Sequence, residues 1–125
     1  MSNVINGIVR TYEQESTTVA KYLIVENGTA ANEVALGSGV AGELIGVATE
    51  SATGVDGEPV GVVVSGYAKV VMSAAQTRGT QVTSTAAGKG VLAVAGDILL
   101  GYLDEEVTAA DQVARVFLAP RGVAV

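Results

Sequence analysis

Most of this chain is a succession of short runs rich in Val, Ile, Leu and Thr, each ended by Gly or by a turn pair such as Asn27-Gly28 or Asp56-Gly57. No window carries the apolar spacing i, i+3, i+4, i+7 that an amphipathic helix requires. Dense Gly, Thr and Val also disfavour long helices, through backbone entropy and stiff β-branched side chains. Short strands with turn residues between them imply a β-sandwich or a β-barrel. The fold class expected is therefore all-β: a small barrel or sandwich of short strands with few or no helices.

The runs can be placed. "TVAKYLIVE" (18–26) reads as a strand, "NGTAAN" as a turn, and "EVALGSG" as a short strand running into Gly. "ELIGVAT" (43–49) is another strand, followed by the loop "ESATGVDGEP". "VGVVVSGYAKVVM" (60–72) is long, and Gly66 inside it signals a bulge or bend. "GVLAVA", "DILLGYL" and "QVARVFLAP" follow, with Pro120 expected to close the last strand.

"SAAQTRGTQVTSTAAGKG" (73–90) has no Leu, Ile or aromatic residue and resembles a linker at first sight. A flexible linker lacks β-branched periodicity. Here Thr80, Val82 and Ser84 alternate with Gln81, Thr83 and Thr85. The segment reads as a turn at Arg78-Gly79, a short strand, and a hairpin turn through Gly88-Lys89-Gly90. It belongs inside one domain. Residues 1–16 are expected to form an N-terminal arm or edge strand, and residues 17–125 a single β domain.

Composition limits the chemistry. The chain has 125 residues, no Cys, no His and no Trp, so it lacks Ser-His and Cys-His nucleophile pairs and a typical zinc site. No catalytic, cofactor-binding or metal-ligating residues are assigned, and the chain is not expected to be an enzyme. With a formal net charge of −6, its surface repels nucleic acid and anionic lipid. No apolar run approaches the ~18 residues that cross a bilayer, and no signal peptide is visible, so synthesis in the cytoplasm is expected. The chain is 49% apolar but 4% aromatic. A core of Val and Ala buries less area per residue than one of Leu and Phe, so a subunit interface is expected to complete it.

Three motifs have bland readings that outweigh the chemical ones. "GSGVAG" (37–42) spells G-x-G-x-x-G, but a strand-like run follows where a dinucleotide site needs a helix N-terminus; it is read as a turn. "AAGKG" (86–90) lacks the first Gly and the Ser/Thr of a phosphate loop and is read as a hairpin turn. Asp104, Glu105 and Glu106 lack calcium-loop spacing and are read as a solvated loop. There is also an internal echo. "GELIGVATESATGVD" (42–56) matches "GDILLGYLDEEVTAAD" (96–111) with one inserted residue, and a Val-rich strand follows each. This suggests a duplicated β-unit.

The order of these motifs resembles a family of small phage capsid decoration proteins, also called cement or head-stabilising proteins, encoded beside the major capsid protein. The matching positions are Gly46-Val47-Ala48, Gly57 to Gly66, Val70, Gly79, Val82, Gly88 to Val91, and Val113 to Leu118. Thr77-Arg78 departs from the apolar character usual before Gly79, and the first 20 residues have no clear counterpart. The resemblance implies a bacteriophage virion structural protein on the exterior of an icosahedral capsid. It implies binding to the assembled lattice of the major capsid protein, capsid stabilisation, and a homo-oligomer, often a trimer, with no cofactor. An arm that adds a strand to a neighbour would place Val4, Ile5, Arg10 and Tyr12 at a capsid or subunit contact. Arg78 is a further candidate, since Arg anchors interfaces well. The competing reading is a β-rich module that recognises host-surface carbohydrate or receptor. An exposed aromatic cluster would favour it, but Tyr12, Tyr22, Tyr67, Tyr102 and Phe117 are dispersed along the sequence.

Overall fold

The computed structural model describes residues 7–15, 19–28, 32–37, 44–49, 58–94 and 97–123. Among them there are strands and turns but no helix, and the strands hydrogen-bond into one 9-stranded sheet. The strands are β1 (Gly7–Gln14), β2 (Ile24–Asn27), β3 (Glu33–Leu36), β4 (Leu44–Ala48), β5 (Pro59–Val71), β6 (Gln81–Ser84), β7 (Gly90–Leu92), β8 (Ile98–Leu103) and β9 (Val113–Val123).

The sheet closes on itself. Its order begins β1-β3-β2-β4-β5, and β5 also pairs with β1, which makes a small closed 5-strand barrel. Closure removes the exposed edges that an open sheet must protect. Of the two expected architectures, the barrel is the one adopted. β5 serves this barrel with its first half only. Gly66, at φ 87°, pairs with Gly7 on β1 and with Leu118 on β9. Beyond it, residues up to Val71 pair with β9. The bend expected at this Gly is where the long strand passes from one half of the molecule to the other.

The second half repeats the circuit of the first. β5 pairs with β9, β9 with β8, β8 with β6 and β6 with β7. A parallel bridge from Met72 to Gly90 then returns β7 to the end of β5. The second half of β5 stands for β1, β6 for β2, β7 for β3, β8 for β4, and β9 for the first half of β5. The register agrees residue by residue. Val25 pairs with Gly46 and Leu36 as Val82 pairs with Gly101 and Leu92. Tyr12 pairs with Val60 as Val70 pairs with Ala114, and the parallel pair Gln14–Val34 has its counterpart in Met72–Gly90. Left-handed backbone recurs too: Tyr22 (φ 69°) matches Gly79 (φ 92°), and Asn32 (φ 68°) matches Gly88 (φ 76°). The sequence echo between residues 42–56 and 96–111 thus falls on equivalent strands. A close approach explains why Gly46 and Gly101 recur. A Cβ on Gly46 would overlap the Val63 carbonyl oxygen, and one on Gly101 the Phe117 carbonyl oxygen.

Two clusters of buried side chains follow. Val19, Val25, Val34, Ile45, Ala48, Val60 and Val62 form the first, with Tyr12 and Val64 against it. The second includes Val70, Met72, Val82, Leu100, Leu103, Val107, Val116 and Leu118. It also takes in Ile24, Leu44 and Val47 from the first half. Those side chains are the phase of β2 and β4 opposite to Val25 and Ile45. The first barrel therefore fills its interior with one phase and docks onto the second half with the other.

Several sequence expectations shift. Residues 7–14 are not a loose arm or an edge strand: β1 lies between β3 and β5 within the barrel. The strand expected over 18–26 starts only at Ile24, because Lys21 and Tyr22 form a turn with Tyr22 in left-handed backbone. Buried Gln14 holds this approach, its Oε1 accepting from the Val19 N–H at 2.7 Å. Pro120 does not end β9, which continues to Val123. It sits where the register with β8 shifts, between the pairs Gly101–Leu118 and Leu99–Gly122, and such an irregularity tolerates a residue with no N–H. Segment 73–90 is part of the second half, with Gly79 and Gly88 at its turns and β6 paired to β7. The segment "GSGVAG" lies beyond Gly37 outside the described residues, and a strand, β4, follows it.

Candidate functional site

The sheet β5-β9-β8 presents one face to solvent, and alternation decides what lies on it. Ala68 and Val70 of β5, Ala114, Val116 and Leu118 of β9, and Leu100 and Leu103 of β8 point into the second cluster. The opposite phase carries Tyr67, Lys69, Arg115, Phe117 and Tyr102. Cross-strand register aligns these in rows: Tyr67 faces Phe117, Phe117 faces Tyr102, and Tyr102 faces Gln81 of β6. Thus aromatic residues far apart in the sequence form one row across neighbouring strands. Tyr67, Tyr102 and Phe117 are 37%, 40% and 46% exposed. The Tyr67 and Phe117 ring centroids lie 5.2 Å apart at an interplanar angle of 57°, within the favourable range for a tilted aromatic pair.

A charged row adjoins the aromatic one. Lys69 pairs in register with Arg115, whose guanidinium lies 5.7 Å from the Tyr67 ring centroid, a cation–π distance. The Arg115 Nε donates to Asp104 Oδ2 at 2.9 Å, and the Arg115 backbone N–H donates to Glu105 Oε2 at 2.6 Å. Hydrogen bonding to Asp104 raises the Arg115 pKa further above its ordinary value. Asp104 also meets Arg78 Nη2 at 3.5 Å. The acidic run expected as a solvated loop is thus partly the counter-charge that orients Arg115 beside the aromatic row. No group of His, Cys, Asp or Glu among the described residues is arranged to hold a metal ion.

The contact residues expected from sequence are scattered relative to this face. Val4 and Ile5 lie outside the described residues. Arg10 is on β1, exposed and opposite Val62. Tyr12 is half-buried against the first cluster, so its ring serves the barrel interior. Arg78 does reach the face, through Asp104. The aromatic row itself left a trace in the sequence. Tyr67 shares the polar phase of its strand with Ser65 and Lys69, and Phe117 shares that of Arg115. An aromatic residue on the solvent phase of an alternating strand marks an exposed surface.

The fold defines this chain as a small closed 5-strand β-barrel with extra strands that repeat its circuit through the shared strand β5. It is similar to the crystal structure of the N base of head fiber gp8.5 in bacteriophage phi29. The TM-score is 0.69 with 16% sequence identity, covering 94% of this chain and 98% of that one. No family model matches the chain, and no curated protein matches it by sequence.

Proposed function

We propose that this protein is a bacteriophage virion structural protein that binds the outer face of an assembled icosahedral capsid and stabilises it. The observation that carries this reading is the fold shared with a phage head-fibre base over nearly the whole length of both chains. The motif order described above adds to it. In this reading the protein acts by binding, without catalysis or cofactor. Its partners are the lattice of the major capsid protein and further copies of itself, as a trimer, with no nucleic acid and no membrane. It is made in the host cytoplasm and resides on the capsid exterior. A site assembled from several capsid subunits exists only in the shell, so binding there stabilises the shell by mass action.

Co-sedimentation is the direct test. The protein is expected to pellet with expanded capsids and to remain in solution with unassembled capsid protein. Equal binding to both would refute recognition of the lattice. The exposed aromatic row favours a second reading, a β-rich module that recognises host-surface carbohydrate or receptor. Aromatic faces give sugars and partner proteins broad, rigid contact area. Under that reading the protein would retain host cell-wall polysaccharide and fail to pellet with capsids.

A further inference from the structure

β1 closes the barrel with its last residues only. It pairs with β5 from Gly7 to Glu13, but with β3 only at Glu13 and Gln14. In an antiparallel ladder, successive residues turn their N–H and C=O alternately toward the partner strand and away from it. The Gln14 N–H donates to the Glu58 carbonyl, beside β5, at 2.8 Å. The Glu13 and Glu15 N–H groups donate instead to the Asn32 and Val34 carbonyls on the β3 side, both at 2.9 Å. Toward the N-terminus of β1, Tyr12 and Arg10 therefore turn to β5, whereas Thr11 and Val9 turn to the side that β3 does not reach. The register shift with β5 falls between Ile8 and Val9, so it leaves this alternation intact.

No described strand pairs with that side of Val9 and Thr11. Ile8, Val9, Arg10 and Thr11 are all exposed, Ile8 at 60% and Val9 at 56%. Natural sheets blunt an open edge with Lys or Pro, or cover it. This one carries two bare aliphatic side chains and one charge, Arg10, which forms no ion pair with a described residue.

We infer that the Val9–Thr11 edge of β1 receives an extended segment of a protein of the capsid shell, which adds to the barrel as a further strand. The N–H and C=O groups of Val9 and Thr11 supply the main-chain hydrogen bonds, and the neighbouring side chains supply the selectivity. Those side chains define the segment: apolar residues meet Ile8 and Val9, and an acidic residue meets Arg10. A second copy of this chain suits the edge poorly. Pairing two copies antiparallel, so that Val9 of each bonds to Thr11 of the other, sets Arg10 directly against Arg10, and like charges opposed across strands destabilise the pair. The inference rests on the capsid-binding reading above and names the strand that makes the contact.

Proline distinguishes the two sides of the strand. Thr11→Pro removes an N–H that no described residue accepts and sets the ring toward the open edge, a position where strands tolerate Pro. Arg10→Pro removes the N–H turned to β5. Thermal unfolding is expected to leave Thr11→Pro near wild type and to lower Arg10→Pro clearly. Arg10→Glu, at an exposed side chain, keeps the fold and reverses the charge. In co-sedimentation with expanded capsids, Thr11→Pro and Arg10→Glu are each expected to bind about tenfold more weakly than wild type, the worth of one hydrogen bond or ion pair. If both variants bind as wild type does, the edge assignment falls and the capsid reading stands. A wild type that stays in solution overturns both. If Thr11→Pro loses stability as Arg10→Pro does, this side of β1 is already engaged within the chain and the assignment falls. A wild-type mass above the 12.5 kDa of one chain that drops to it in Thr11→Pro would assign the edge to a second copy instead.

Discussion

The two units trace the same circuit with different side chains, and the differences lie where the units have different neighbours. Inside, substitutions compensate. The first unit pairs Gln14 with Val34; the second pairs Met72 with Gly90, where a Cβ would come within 2.5 Å of the Met72 sulfur. A longer apolar side chain takes the space that the smaller partner leaves, as close packing requires. Outside, nothing compensates. Ile24 and Val47 are aliphatic and covered, whereas Gln81 and Tyr102 are polar or amphipathic and reach solvent. A backbone can thus be duplicated faithfully while each copy's outer face follows what it meets.

The strictest test of the equivalence is at Gly46 and Gly101. In each case a Cβ would be driven into a carbonyl of the adjoining strand, which cannot rotate away as a side chain can. Gly46→Ala and Gly101→Ala are each expected to cost about 4–5 kcal/mol, at the severe end for point substitutions. That is a large part of the stability of a small domain. Urea denaturation measures it. If one variant unfolds the protein and the other is neutral, the two positions are not equivalent.

A smaller effect is expected from truncating the matched interior pair Ile45 and Leu100. Leu100 is fully buried in the second cluster and Ile45 is buried in the first. Loss of such a side chain combines lost transfer energy with a residual cavity, about 2–5 kcal/mol. Leu100→Ala and Ile45→Ala are each expected to cost about 3 kcal/mol. Because β5 belongs to both units and Ile24, Leu44 and Val47 bind one unit into the other's cluster, each variant is expected to lower a single transition. Two separated calorimetric transitions in Leu100→Ala would show that the units melt independently.

The sequence conveyed the strands better than their closure. β-branched runs and Gly punctuation located β3, β4, β5 and β8 within a residue or so, because alternation and turn chemistry are local signals. Whether β1 was an arm or a barrel strand depended on its parallel pairing with β3 and its long pairing with β5, which are non-local. Tyr22 broke the run 18–26 through a left-handed backbone that a Tyr does not advertise. The duplication surfaced only at β4 and β8, where the close approach fixes Gly46 and Gly101. At other paired positions, such as Gln14 and Met72, the backbone role is the same but the side chains share no chemistry. The aromatic face was hidden for the same reason: Tyr67, Tyr102 and Phe117 become neighbours only through strand register.

The smallest effect is expected where the units share backbone conformation but differ in residue. Tyr22 and Gly79 both start the approach to a strand in left-handed backbone, and both donate an N–H to a β4 or β8 carbonyl: Tyr22 to Ala48 at 2.9 Å, Gly79 to Leu103 at 2.7 Å. Around Gly79 a Cβ would meet nothing within 4 Å. Gly79→Ala therefore adds no clash, and its cost is the left-handed penalty of an L-residue alone, about 1 kcal/mol. Tyr22 bears that same penalty in the wild-type chain. Its ring repays part of it through partial burial and through Lys21 Nζ, 4.9 Å from the ring centroid. The urea midpoint of Gly79→Ala should fall slightly with its slope unchanged, since the surface exposed on unfolding is the same. A loss as large as that of Gly101→Ala would mean that this turn is packed against something, such as a neighbouring copy, and not set by its backbone alone.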